Sequence, residues 1–193
     1  MLPIAAVVAL AALTFQPVAP ETTAQAAHVF VRDSAAPAQS DPAGGPVHDA
    51  GIRPFTPNDP PNAQLTNAHG GGLNVSIAEW RAASGTAEIA PATNGLRVRI
   101  ACRGLIPMGR YSVFVRQLAG RAGVVLTPVD ITGAADTFFA DANGVGGIVI
   151  ETPNAIPSGA QLVLIYHSDG ADHQSSPGEL GVTAHEQLIT RVP

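Results

Sequence analysis

The 193-residue chain has no lysine, a single cysteine and few aromatic residues. Because Cys102 is alone, no intramolecular disulfide can form, and stability must come from core packing. The net charge of −5 gives no cationic surface of the kind that nucleic acids or anionic membranes require. The chain is nevertheless 46% hydrophobic, which is typical of a folded protein.

The first 26 residues have the pattern of an export signal. The apolar run 4–13 is too short to span a bilayer of ~30 Å as a helix, and Ala24-Gln25-Ala26 supplies a small-x-small cleavage site. No basic residue precedes the run, so a short buried helix or a membrane anchor remains an alternative interpretation. The pattern predicts a signal peptide over 1–26 and a secreted or periplasmic protein without a stable membrane span after signal removal.

Residues 27–66 show no hydrophobic periodicity and are rich in proline, including the stretch RPFTPNDPPN. Such a segment buries too little apolar area to offset its ordering entropy. We therefore expect a flexible linker over 27–66, followed by one domain over 67–193.

From Leu73 onward apolar residues alternate with polar ones, which predicts strands with one face on a core and the other towards water. In the run 96–103 three arginines share the polar face and Cys102 lies on the apolar face. In the run 111–116, Ser112, Phe114 and Arg116 are predicted to face water. Turn signals such as Asn-Gly at 94–95 and 143–144 separate these runs. The pattern indicates an all-β Greek-key sandwich or barrel of seven or eight antiparallel strands.

Two stretches resemble the copper/zinc superoxide dismutase family. GLIPMGRYSVFVRQ, 104–117, is similar to the turn and strand that carry that family's His-x-His copper pair. LVLIYHSDGADHQSSPGELG, 162–181, is similar to its late strand, which ends in a copper-ligating histidine. The resemblance implies a superoxide-dismutase-like Greek-key fold with a metal site near His167.

The departures from that family argue against its activity. Phe114 and Arg116 stand where the His-x-His pair is needed, and a phenyl ring or a guanidinium cannot ligate copper. Thr183 stands at the position of the family's active-site arginine, and the disulfide pair is missing. We therefore expect a degenerate member without a catalytic site, not an enzyme.

Residues 166–188 contain three histidines and four carboxylates without a single basic residue. Imidazole and carboxylate groups suit Cu(II) or Zn. In a simple hairpin of 161–167 with 182–190, His167 would lie near Gly181, and His185 would lie ~13 Å away. The credible subset is then the 167–173 loop. The candidate metal ligands are His167, Asp169, Asp172, His173 and His185.

A plain polar turn explains the same residues, because Ser-Asp-Gly favours a tight turn and Asp169 can accept backbone N–H groups. The sequence therefore leaves two functions open. The first is a non-catalytic binding or structural module that uses no cofactor and has an envelope or extracellular partner. The second is an extracytoplasmic copper- or zinc-binding protein that uses the loop 167–173.

Overall fold

A computed structural model of the chain describes residues 23–39, 47–118 and 123–193. Within these ranges the chain forms thirteen strands and one short helix, and all paired strands run antiparallel. The strands are β1 (Thr23–Ala27), β2 (Phe30–Arg32), β3 (Ile52–Pro54), β4 (Gln64–Thr66), β5 (Gly72–Ser76), β6 (Ser84–Ala92), β7 (Gly95–Arg103), β8 (Arg110–Leu118), β9 (Val124–Pro128), β10 (Thr137–Phe139), β11 (Gly146–Thr152), β12 (Gln161–His167) and β13 (Ala184–Arg191). The helix α1 spans Ile77–Arg81.

The strands form three sheets. The first has the order β1-β13-β12-β8-β10, with β9 also paired to β8. The second has the order β11-β7-β6, and the third has the order β3-β2-β4-β5. The predicted all-β, antiparallel architecture is confirmed, but there are more strands than the expected seven or eight. None of the sheets formed by the described residues closes into a barrel.

The main core combines residues from all three sheets. On β7 the burial alternates as predicted, since Val98, Ile100 and Cys102 are buried while the alternating residues, including the three arginines, are exposed. Burial raises the pKa of the Cys102 thiol to about 11, which keeps it protonated at neutral pH.

The first sheet is buried on both faces, which the alternating sequence pattern did not indicate. Ser112 and Phe114 on β8 were expected to face water, but they are 3% and 0% exposed. That expectation is wrong because the outer face of this sheet forms a second apolar cluster with other residues packed against it. The cluster consists of Phe114, Val163, Ile165, Ala184 and Ile189, with Leu126 and Leu180 packed against it.

The described part of segment 27–66 is folded, in contrast to the predicted flexible linker. It supplies β2, β3 and β4, and Val29, Val31 and Leu65 belong to the main core. Arg53 forms ion pairs with Asp33 and Asp59 that join the turns between these strands. The apolar residues are few and separated by proline-rich turns, so they produce no periodic pattern even though tertiary pairing buries them.

Helix α1 follows β5 directly and was not predicted, because the alternation of apolar and polar residues that starts at Leu73 continues into the helix. Ser76 caps it through a capping box, in which its hydroxyl accepts from the Glu79 N–H and the Glu79 carboxylate accepts from the Ser76 N–H. The helix buries Trp80 completely under the first sheet, where Gln187 donates a hydrogen bond to the Trp80 carbonyl.

The pairing of β12 with β13 differs from the simple hairpin that the sequence suggested. His167 lies opposite Ala184, not Gly181, and His185 lies opposite Tyr166. The register also shifts within the pair, because Leu164 faces Leu188 while Ile165 faces Glu186, so that Gln187 is an extra residue on β13.

The predicted signal peptide, 1–26, lies outside the described residues except for its last four positions, 23–26. The backbone of these four residues belongs to β1, which pairs with β13. Within the described ranges, no helix has both the length and the apolar character needed to traverse a bilayer.

Candidate metal site

His167 is the last residue of β12 and lies on the outer face of the first sheet. Its side chain is almost completely buried, at 2% exposure. Nε2 of the ring lies 2.7 Å from the Ser112 hydroxyl oxygen on the neighbouring strand β8. Nδ1 is also buried but has no hydrogen-bond partner among the described residues. Nε2 is therefore held by its contact with β8, whereas Nδ1 remains without a partner among the described residues.

A tight turn after His167 brings Asp169 next to it. The Gly170 N–H donates to the His167 carbonyl, and Gly170 itself has φ of +68°, which glycine adopts without strain. Oδ1 of Asp169 accepts from the Ala171 N–H, so one carboxylate oxygen holds the turn. The other oxygen, Oδ2, lies 3.0 Å from Nε2 of His173.

His167, Asp169 and His173 form one cluster. Each offers a ligand atom, and these atoms all lie within 4.8 Å of one another. The two imidazole rings are 5.3 Å apart between centroids. Ligand atoms on one tetrahedral ion at ~2.1 Å lie ~3.4 Å apart, so small side-chain rotations suffice to close the set around a metal.

The protonation states suit metal binding. Burial, together with the neighbouring His173, lowers the pKa of His167 to about 4, so this imidazole is neutral at pH 7. Burial alone would raise the pKa of Asp169, but hydrogen bonds from Ala171 and His173 outweigh it and lower that pKa. A neutral imidazole and an ionised carboxylate are the forms in which these groups ligate a cation.

The other two sequence-predicted ligands lie outside this cluster. Asp172 accepts a hydrogen bond from the Gln174 N–H and forms a long ion pair, 3.8 Å, with Arg110. His185 points to the opposite face of the sheet, into the main core, where its ring contacts those of Trp80 and Tyr166. The structure thus brings together three of the five candidates.

Two further residues at the site were not identified from the sequence. Ser112 and Arg110 lie on β8, and Arg110 is directly opposite His167. Because they are two residues apart on one strand, the sequence indicates that they share a face of the sheet. Only the pairing of β8 with β12 shows that His167 lies on the same face. Farther along β8, Phe114 belongs to the second apolar cluster. Arg116, two residues later, forms an ion pair with Glu186.

A buried carboxyl group, Asp136, lies near the same end of the sheet. It is 0% exposed, and its Oδ2 has no hydrogen-bond partner within the described parts of the chain. Burial, reinforced by the charges of Asp130 and Asp172, raises its pKa to about 7. The segment that carries it contacts the loop after His173 closely, since the backbones of Gly133 and Gln174 touch.

Comparison with known proteins gives no relative: no protein-family model, no curated protein and no solved structure matches this chain. Its function must therefore be argued from the geometry described above.

Proposed function

We propose that this chain is a non-catalytic β-sandwich module that binds zinc or copper(II) through His167, Asp169 and His173. The observation that carries the proposal is the buried Nδ1 of His167. This atom has no hydrogen-bond partner among the described residues, its imidazole is neutral, and His167 forms a cluster with a second imidazole and a carboxylate.

A polar turn alone does not account for this arrangement. The turn explains the hydrogen bond from Ala171 to Asp169 and the contact between Asp169 and His173. It leaves the buried Nδ1 of His167 unsatisfied, which costs about 1–3 kcal/mol. A metal ion would give that atom a partner and would replace the proton between Asp169 and His173.

Ser112 supports the same interpretation. When Nε2–H of His167 donates to the Ser112 hydroxyl, the ring is in the tautomer that keeps a lone pair on Nδ1. Metal-ligating histidines almost always have such a partner on their second nitrogen. Two imidazoles and one carboxylate form a donor set suited to zinc or copper(II), with at least one position left open.

We also propose that the domain is a degenerate relative of the superoxide dismutase Greek-key fold and that it is exported. The two resembling stretches, 104–117 and 162–181, support the first point, and the apolar run 4–13 supports the second. Phe114, within an apolar cluster, and Arg116, paired with Glu186, stand where that family carries its copper pair. This supports a binding role without dismutation.

The proposal is tested by metal titration of the purified protein. Zinc or copper(II) is added against a weak competing chelator, and both the dissociation constant and the melting temperature are recorded. Metal at a hundredfold excess over the dissociation constant should raise the free energy of unfolding by about 2.7 kcal/mol. His167→Ala and His173→Ala should lose this effect.

His69→Ala is the matched control. His69 also contacts a carboxylate, with Nδ1 3.2 Å from Asp49 Oδ2, but it is exposed and outside the cluster. This variant should bind metal as the native chain does. If the native protein shows no stabilisation at a hundredfold excess of metal, or if all three variants respond alike, the site does not exist.

A further inference from the structure

Arg110 occupies a central position beside the proposed metal site. It lies directly opposite His167 on one side and directly opposite Phe139 on the other, so the three side chains share the outer face of the sheet. Its guanidinium carbon lies 4.6 Å from the centroid of the Phe139 ring, which holds the charged group in place.

The Arg110 guanidinium has few polar partners among the described residues. Nε of Arg110 is buried and has no hydrogen-bond partner in the described part of the chain. The ion pair of NH1 with Asp172 Oδ2 is 3.8 Å long, which exceeds a hydrogen bond. The planar guanidinium of Arg110 therefore has donors to spare. It lies on the strand next to His167, whose Nδ1 has no hydrogen-bond partner among the described residues.

We propose that a carboxylate bridges the metal and Arg110, with one oxygen on the open metal position and the other on the guanidinium. This inference rests on the metal site proposed above. Three protein ligands leave the coordination incomplete, and the arginine fork matches the geometry of a carboxylate. The side chains of Asp169 and His173 are 31% and 25% exposed, so a ligand can reach the site from solvent.

Protein carboxylates surround the site, since Asp169 and Asp172 lie beside it. They repel any anion there, so binding depends on the attraction of the metal and of Arg110, both of which a single carboxylate can contact through its two oxygens. The carboxylate can come from a small free acid or from an Asp or Glu side chain of a partner protein.

The test uses the copper(II)-loaded full chain, whose visible absorption and EPR spectra report on the ligands. Acetate is titrated at constant ionic strength into the native protein and into Arg110→Gln. Acetate should shift the native spectra in a saturable way, and Arg110→Gln should weaken acetate binding by about tenfold or more. The same variant should bind copper at least as tightly as the native chain, because a neighbouring cation is removed.

These opposite changes separate a ligand-binding arginine from a structural one. Arg97→Gln, which removes an exposed arginine paired with Glu151, should change neither acetate nor copper affinity. Arg110→Lys keeps the charge without the fork and should give intermediate acetate affinity, which provides a second test if the glutamine variant does not fold. A blocked peptide with one aspartate, titrated alongside acetate, distinguishes a partner's side chain from a free acid by its relative affinity.

The outcomes are distinguishable. If the native protein binds copper but acetate leaves its spectra unchanged, or shifts those of Arg110→Gln equally, the carboxylate inference is overturned while the metal site stands. If the native protein binds no copper, the proposed function fails and the inference with it.

Discussion

His167 and His185 lie on adjacent strands and are buried to a similar degree, but they differ in how many of their ring nitrogens have hydrogen-bond partners. Burial lowers the pKa of both to about 4. Nδ1 of His185 bonds to the His28 carbonyl and its Nε2 bonds to the Ser168 hydroxyl, so both nitrogens are satisfied. Only Nε2 of His167 has a partner among the described residues. Burial and pKa therefore do not distinguish the proposed ligand His167 from His185, whereas the nitrogen without a partner does.

Acid should destabilise the protein through both histidines. Each is neutral in the fold down to about pH 4, whereas the unfolded chain takes up a proton below ~6.5. The unfolded state then binds more protons, so the free energy of unfolding falls as the pH decreases from 6.5 to 4, by up to ~3 kcal/mol for each histidine. The free energy of unfolding, measured by urea titration at several pH values in this range, should depend less steeply on pH in both His167→Gln and His185→Gln.

Saturating zinc should sharpen this comparison, because protons then compete with the metal for His167. The pH dependence should become steeper in the native chain and in His185→Gln but not in His167→Gln. An equal response of all three proteins to zinc would contradict the assignment of the two histidines.

Replacing His185 by alanine should cost about 2–4 kcal/mol of unfolding free energy without loss of metal binding. The change removes two hydrogen bonds and the ring contacts with Trp80 and Tyr166 in the core. His167→Ala should cost less, about 1–2 kcal/mol in metal-free protein, but should abolish metal binding. Urea titration with chelator present, followed by metal titration, measures both; a folded His185→Ala protein without metal affinity would refute the distinction.

The two serines that contact these histidines provide a matched pair. Ser112→Ala removes the partner of His167 and should weaken metal binding about tenfold, since the ring loses its preferred tautomer. Ser168→Ala removes the corresponding hydroxyl from His185 and should leave metal affinity within about twofold of the native value. Calorimetric titration with zinc compares them directly, and equal losses would show that neither serine orients a ligand.

Gly170→Ala should give the smallest effect, about 1 kcal/mol. The added Cβ meets no atom within 4 Å, but φ of +68° is strained for alanine. Because the turn positions Asp169, metal affinity should fall severalfold. Gly159→Ala, at a turn with φ of +82° where the added Cβ meets only the Arg191 side chain at an ordinary contact distance of 3.9 Å, should cost the same stability without changing metal affinity. Unchanged affinity in Gly170→Ala would mean that the turn does not position the ligand.

The sequence predicted the features that depend on local pattern. Alternation predicted the strand 96–103 with Cys102 on its buried face, and the ligand types in 167–173 predicted the loop whose His167, Asp169 and His173 the structure brings together. A sequence signal for α1 was also present, since Ser76 and Glu79 have the spacing of a capping box. This signal alone does not predict a helix, because five residues are too few to show a 3.6-residue period.

The features that depend on tertiary pairing were out of reach. Val29 and Leu65 are buried by strands distant in sequence, so the segment 27–66 resembles a linker when it is considered alone. The outer face of β8 has Ser112 and two arginines in an alternating strand, which is also the pattern of a solvated face. The contact of Ser112 with His167 joins residues 55 positions apart and follows only from the strand order.

The extra residue Gln187 on β13 explains why the two histidines are separated. From Gln161 to Leu164, β12 pairs with β13 in one continuous register, in which Gln161 faces Arg191 and Leu164 faces Leu188. From Ile165 onward the register is shifted by one residue, so that His167 faces Ala184. With the first register continued, His185 would stand directly opposite His167 on the outer face, at the ~5 Å spacing of cross-strand neighbours. The bulge at Gln187 therefore turns the His185 imidazole into the main core, whereas a regular ladder that included Gln187 would have placed this ring beside His167 as a further nitrogen donor.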